Sequence, residues 1–250
     1  MEGAEMVVGD TVHEDGATLR DARRRSAPGV WCTDWLLLRG MNSAIAALAG
    51  RLRRPGAEAV DFGCGSRPYS QTFTDVGIRY TGADFGRDGD VAIDADGTLP
   101  LGDASCDLVL SFQVLEHVRD LDTYLGEARR VLRPDGRMIL STHGTWLYHP
   151  HPEDHRRWTR QGLIHDLSSR GFDVLECVPI IGPLAWTTIL RSTGFAYVLR
   201  RLPLVGAAVA GLCATVMNLR ALIEDAVTPE AIRRDNACVY LTVSRPREAA

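Results

Sequence analysis

The 250-residue chain contains no lysine, so all 28 of its basic side chains are arginine. A lysine nucleophile, a Schiff base and a P-loop lysine are excluded at once, since arginine stays protonated and cannot replace them. Cysteine is present but sparse: six are scattered along the chain with no C-x-x-C pair. That argues against a disulfide framework or a zinc ribbon and for a reducing, cytoplasmic compartment. Basic excess is also lacking. With 32 acidic residues the formal net charge is −4, which disfavours nucleic acid as a partner. Met1 to Thr18 is acidic and has no apolar centre, so it reads as a frayed tail and not as a signal peptide.

What remains is an ordinary globular composition, 45% hydrophobic and 24% charged, enough for one large domain or one domain with an insertion. Apolar positions between 19 and 54, among them Trp35, Leu37, Ile45 and Leu48, read as one or two helices closed by Pro55-Gly56. The arginine cluster Arg20 to Arg25 reads as a solvated helix face. Strands are expected at Glu58–Gly63, Ile78–Asp84, Val91–Asp94, Asp107–Phe112, Arg137–Ser141, Phe172–Val178 and Asn236–Ser244. Helices are expected from Pro68 to about Val76, from Leu115 to Leu132 and from a Thr159 cap to Arg170. Alternation of this kind points to a doubly wound α/β sheet.

Chemistry gathers first at Val60-Asp-Phe-Gly-Cys-Gly65, a glycine loop between a strand and a helix. Asp84 closes the second strand 21 residues after Gly63, where an acidic side chain accepts bonds from ribose hydroxyls. Glycine loop and acid together admit a nicotinamide dinucleotide or S-adenosylmethionine. Arg67-Pro68 stands where the dinucleotide fingerprint has its third glycine, which disfavours a pyrophosphate on the helix N-terminus.

The loop, then Asp96-Gly-Thr-Leu-Pro100, then Cys106-Asp-Leu-Val-Leu-Ser-Phe-Gln-Val-Leu-Glu-His-Val118, then Arg129-Arg-Val-Leu-Arg-Pro-Asp-Gly136 follow in order. Together they resemble class I S-adenosylmethionine-dependent methyltransferases of the small-molecule type. The likeness covers residues 58–178 and the last strand, about half the chain. It implies a Rossmann-like, seven-stranded sheet with S-adenosylmethionine as cofactor. It also implies that Asp61, Gly63 and Gly65 hold the methionine portion, Asp84 the ribose and Asp94 or Asp96 the adenine, with Gln113 nearby. Asp135 stands in place of the usual turn glycine.

Methyl transfer to a hydroxyl needs a proton acceptor, and histidine titrates nearest neutrality. His143, after the fifth strand, and His117, after the fourth, are the candidates, although His117 could serve packing alone. The segment His149-Pro-His151-Pro-Glu-Asp154-His155-Arg-Arg157 lacks the spacing of known metal-ligand sets, so no metal is expected. It resembles a stretch of methyltransferases from polysaccharide gene clusters, which points to His149, His151, Asp154 and Arg157 as lid or substrate residues. Ser111-Phe-Gln-Val114 stands where nucleobase amino-methyltransferases carry Asn/Asp-Pro-Pro-Tyr.

The chain thus divides into a tail and helices (1–54), a cofactor-binding core (55–178), a helical insertion (179–235) and a last strand with its tail (236–250). Three readings compete for the insertion: a lid over an apolar acceptor pocket, a homodimer interface, or a hairpin dipping into a membrane. Pro203 and Asn218 in the apolar run argue against a bilayer-spanning helix. The reading is O-methylation of a small-molecule acceptor, a sugar or glycosylated metabolite, in bacterial biosynthesis. The alternatives are N- or C-methylation of a natural-product scaffold, or a non-methylating protein of this fold that uses the cofactor structurally.

Overall fold

The computed structural model describes residues 19–86, 89–150 and 153–247. The expected tail at 1–18 and His151 lie outside them. Seven strands form one sheet: β1 (Glu58–Phe62), β2 (Arg79–Asp84), β3 (Val91–Ala92), β4 (Cys106–Phe112), β5 (Leu132–His143), β6 (Phe172–Ile180) and β7 (Val239–Pro246). Their order is β3-β2-β1-β4-β5-β7-β6. β7 alone is antiparallel, pairing Ile139 with Val243 on one side and Val178 with Leu241 on the other. The order reverses between β1 and β4, and at such a switch point the loops part to leave a crevice at the strands' carboxyl ends.

Alternate strand residues feed two cores. On one face Leu108, Leu110 and Ile139 meet α1 (Trp35–Arg51), whose inward stripe is Leu37, Met41, Ile45 and Leu48, and α2 (Ser70–Thr74) through Phe73. On the other face Val109, Met138 and Leu140 meet α3 (Leu121–Val131) and α4 (Arg160–Ser169). Strands buried on both faces read as continuous apolar runs, as Asp107–Phe112 does. Thr159 caps α4, its hydroxyl accepting the Gly162 N–H at 3.1 Å.

Two expectations are corrected. The helix expected over Leu115–Leu132 is broken: a single 3-10 turn (Leu115–His117) ends at an extended Val118, and α3 restarts at Asp120. The Asp120 carboxylate accepts the Asp122 and Thr123 N–H groups, so an N-cap interrupts what periodicity reads as one run. Pro134-Asp135-Gly136 is no turn before a strand. It bulges out inside β5, where Leu132 pairs with Cys106 and Arg137 with Leu108.

Between β6 and β7 lie α5 (Pro183–Leu199), α6 (Gly206–Val227) and the short α7 (Glu230–Asp235). α5 and α6 form an antiparallel hairpin. Trp186, Ile189 and Ala221 anchor it in the core shared with α1.

Candidate active site

A cavity of about 890 Å³ opens at the carboxyl ends of the central strands. Its floor is the β1 loop. Gly63 sits at φ +87°, and a Cβ there would come within 2.7 Å of Val114, so only glycine lets the loop pass. Gly65, also at positive φ, lines the cavity where a side chain would intrude. Its N–H donates to Asp84 Oδ2 at 2.7 Å, and the Phe85 N–H donates to Oδ1 at 2.8 Å. These bonds fix the Asp84 carboxylate at the cavity wall while each oxygen keeps a further lone pair for a hydroxyl.

Asp61 is placed differently from its neighbours. It is buried beneath the loop, outside the cavity wall, and accepts the Tyr80 hydroxyl at 2.6 Å. Burial pushes its carboxyl up to about 7, against the Tyr80 bond and the Arg25 charge. Its Oδ1 has no hydrogen-bond partner among the described residues. A buried carboxylate with an unmet oxygen below a glycine cradle suits a cationic amino group, as the methionine end of S-adenosylmethionine carries. Of the two candidates after β3, Asp96 lines the cavity and Asp94 does not. Asp96 Oδ1 accepts the Thr98 hydroxyl and N–H. Gln113 lines it at φ +60°, held by its N–H to the Ser141 carbonyl at 3.0 Å. The loop glycines, Asp84, Asp96 and Gln113 therefore surround one space, and the donor set fits the cofactor.

The far wall carries the histidines. His143 is buried and stacks on Trp146, ring centroids 5.1 Å apart at 8°. Its Nε2 lies 3.2 Å from Oε1 of Glu116, a fully buried glutamate. Glu116 Oε2 accepts the Thr142 hydroxyl at 2.8 Å. Burial raises the Glu116 carboxyl to about 7. Burial first, then the charges of His149 and Arg157, holds His143 well below its ordinary value. Neither His143 Nδ1 nor Glu116 Oε1 has a hydrogen-bond partner among the described residues, so the two side chains are close but not hydrogen-bonded. His117 lines the cavity with its Nδ1 2.6 Å from the Glu153 carbonyl. His149 lines it too, 5.0 Å and 5.1 Å from the His117 and His143 rings. Donor atoms of Glu116, His143 and His149 lie within 4.8 Å of one another, the one group among the described residues with metal-ligand chemistry.

Asp154 and Arg157 do not reach the cavity. They form a forked ion pair at 2.6 and 2.7 Å, which holds the Asp154 carboxyl well below the usual range. Asp154 also accepts the His149 N–H at 3.0 Å, and Arg157 donates to the Leu147 carbonyl at 2.9 Å. The pair staples the loop that presents His149.

Sequence reasoning missed several wall residues. Arg20, Arg23 and Arg24 of the segment at 19–26 are exposed as expected, yet Asp21, Arg24 and Arg25 also line the cavity. Asp21 accepts the Ser66 hydroxyl at 2.8 Å, and Arg24 pairs with Asp34. Tyr124 lines it while donating to the Phe62 carbonyl at 2.8 Å and stacking on Phe62. Glu116 could have been suspected as the acid beside His117 in the quoted motif; nothing local marked Trp146 or the arginines.

Residues 36–199 match the family described as "Methyltransferase domain". The chain belongs to that family. Its domain is the S-adenosylmethionine-dependent methyltransferase fold, class I. A Mycolicibacterium smegmatis protein named as an S-adenosylmethionine-dependent methyltransferase is 31% identical over 150 residues, covering 51% of this chain and 56% of that one. The chain spans about half the length of the curated relatives it matches. Among solved structures, a chain of the Haloferax volcanii complex between the Trm112 activator and a methyltransferase superposes with TM-score 0.56 at 19% identity, covering 99% and 100% of the two chains. The Burkholderia thailandensis 1,6-didemethyltoxoflavin-N1-methyltransferase does so with TM-score 0.54 at 19% identity, covering 99% and 94%. At such identities the likeness is one of fold.

Proposed function

We propose that this methyltransferase transfers the methyl group to a hydroxyl oxygen of a small molecule, a sugar or glycosylated metabolite, in bacterial biosynthesis. The observation that carries this reading is His143 in the wall of the cofactor cavity with the buried Glu116 carboxyl 3.2 Å behind its Nε2. An amine or carbanion acceptor is already nucleophilic, whereas a neutral hydroxyl must lose a proton as its oxygen forms the new bond. The bound cofactor supplies an electrophilic methyl on a sulfonium. With Glu116 ionised, its carboxylate, 3.2 Å from Nε2, would favour the tautomer protonated at Nε2 and leave Nδ1 to receive the hydroxyl proton. Burial keeps His143 neutral at physiological pH, the form a base requires.

The cavity volume sits near the upper end of the roughly 300–1,000 Å³ typical of ligand pockets, which suits a cofactor together with an acceptor. Asp84 would hold the ribose, Asp96 the adenine side, and Asp61 the methionine end from below the loop. Phe85 at the cavity mouth offers an exposed ring on which a purine can stack. His117 and His149 complete the acceptor side. None of the six cysteines is in a disulfide, in keeping with work in the cytoplasm.

The deciding experiment is a mass-spectrometric screen of sugar and glycoside acceptors for the gain of one methylene. It is run with wild type and with His143→Ala and His117→Ala. Loss of turnover in His143→Ala alone supports the pair as base. Full turnover in both variants would mean an acceptor that needs no base, which favours N- or C-methylation. Calorimetry with S-adenosylmethionine tests the cofactor roles: Asp84→Ala should bind at least about tenfold more weakly.

A further inference from the structure

The α5–α6 hairpin is packed inside out for a surface element. The α6 residues turned inward are Gly206, Ala210, Ala214, Asn218 and Ala221, all small or polar. Its large apolar residues point outward instead, among them Leu212, Val216, Leu219 and Ile223. A surface helix of a water-soluble protein has the opposite arrangement. Of the 21 exposed large hydrophobics among the described residues, 15 lie between Leu184 and Val227. At the turn joining the helices Leu204 is fully exposed, with Leu202 and Val205 beside it. A continuous apolar face of this kind marks an interaction surface.

Charge says which one. From Pro183 to Val227 the hairpin holds four arginines, Arg191, Arg200, Arg201 and Arg220, and two acids, Glu224 and Asp225. Glu224 pairs with Arg220 at 2.7 Å and Asp225 accepts the Gly182 N–H, so both acids are spent at the end of α6 away from the turn, and the charge at the turn is positive. Arg200 and Arg201 flank the apolar turn. Apolar residues projecting between arginines suit the boundary of acyl chains and anionic headgroups. A symmetric dimer through this face would instead set like-charged arginines against each other. α6 is the one described helix long and apolar enough to cross a bilayer, with mean hydropathy 1.6 over its window. It is nonetheless tied to the domain: Asn218 Nδ2 donates to the Val30 and Cys32 carbonyls at 2.8 and 2.7 Å, and Ala221 lies in the core. These ties suit a hairpin lying on a membrane, not through it. Trp186 at its base stacks on Trp146, 4.8 Å between centroids, and Trp146 stacks on His143. The buried base of the hairpin is thus linked to the cavity through Trp146.

We propose that the α5–α6 hairpin docks this protein peripherally onto a bilayer surface containing anionic phospholipid. The proposal rests on the hairpin alone and not on the choice of acceptor, so it can fail while the O-methylation reading stands, and the reverse.

The full chain is sedimented with vesicles of phosphatidylcholine and with vesicles of phosphatidylcholine mixed with phosphatidylglycerol. Wild type should bind the mixed vesicles about tenfold or more tightly than the neutral ones. Arg200→Ser with Arg201→Ser should remove most of that preference. Leu204→Asp with Leu212→Asp should abolish binding to both while calorimetry with S-adenosylmethionine stays unchanged, which shows that the fold is intact. The proposal is overturned by absence of binding to either vesicle, or by unaltered binding of the leucine double variant. It is equally overturned if light scattering shows a dimer that the leucine changes dissociate while vesicles bind nothing, which would assign the face to a second copy.

Discussion

At the scale of single residues the site is a problem of proton placement. Glu116 and His143 have been shifted in opposite directions by the same burial, one up to about 7 and the other down. Below pH ~7 Glu116 is protonated and the pair carries no negative charge; above it the carboxylate can accept Nε2–H and stabilise the imidazolium formed in transfer. kcat/KM should therefore rise through about pH 7 and then level off. Glu116→Gln keeps an oxygen that can accept Nε2–H but cannot ionise. It should lower kcat about 10- to 100-fold and erase the rise near pH 7, read from a pH–rate profile. A profile unchanged in shape would remove Glu116 from the mechanism. His143→Ala should cost about 10²- to 10⁴-fold in kcat with little change in cofactor affinity by calorimetry. The metal question is tested at the same scale. Glu116 Oε2 is taken by the Thr142 hydroxyl while Oε1 has no hydrogen-bond partner among the described residues; on the expectation of no metal, prolonged dialysis against a chelator should leave turnover unaltered. Loss of activity restored by a divalent cation would give the Glu116–His143–His149 group a different role.

Individual elements show how the site is held. The loop after β5 is clamped to the 3-10 turn by the His155 N–H donating to the Glu116 carbonyl at 2.8 Å, and returned to β5 by the Trp158 N–H donating to the His143 carbonyl at 3.0 Å. The Asp154–Arg157 fork stiffens its middle. Arg157→Ala should consequently raise acceptor KM through a loosened His149, with S-adenosylmethionine affinity near wild type. Steady-state kinetics beside calorimetry checks this, and an equal loss in both would show a broader collapse. Thr159→Ala removes only a helix cap and should lower stability by about 1 kcal/mol in urea unfolding, with activity retained. The segment at 19–26 is the element whose role the sequence hid. Arg24 and Arg25 look like solvent-facing charge until the fold lays them over the cavity, where Arg25 stands 5.9 Å from the Tyr69 ring centroid.

For the whole molecule, two buried carboxyls set the direction of pH-dependent stability. Asp61 and Glu116 are both raised to about 7 by burial, above their unfolded values near 4. Their neutral forms contribute stability that is fully present below the unfolded pKa and is lost as pH rises through about 7. Below about pH 6.5 the buried His143 and the half-buried His149, both lowered by burial, oppose this trend, so the cofactor-free protein should show Tm falling between about pH 6.5 and about pH 8, as scanning calorimetry would record. Asp61→Asn should flatten that fall by roughly half, since Asn keeps the Tyr80 bond without the charge. A Tm that climbs over the same interval would contradict the burial argument.

The sequence by itself determined the strand order's raw material, the glycine loop, Asp84 and the family. These are local: a strand running into a tight turn, or an acid at a strand end, is written in consecutive residues. It also marked His117, His143 and His149 as chemistry in waiting. Only the tertiary structure decided that Glu116 faces His143, because that pairing joins β5 to the turn after β4 across 27 residues of chain. It decided that Asp96 and not Asp94 meets the cavity, and that Asp154 and Arg157 brace a loop, since the direction of a side chain depends on backbone geometry that spacing does not set. It decided, too, which face of α6 is free. Residues 202–219 read as an almost purely apolar run, and only packing against α5 and the core shows that the small residues of α6 went inside and the leucines and valines were left out. The chain that lacks lysine thus places Arg200 and Arg201 beside the apolar turn of that hairpin, with its two acids at the far end of α6.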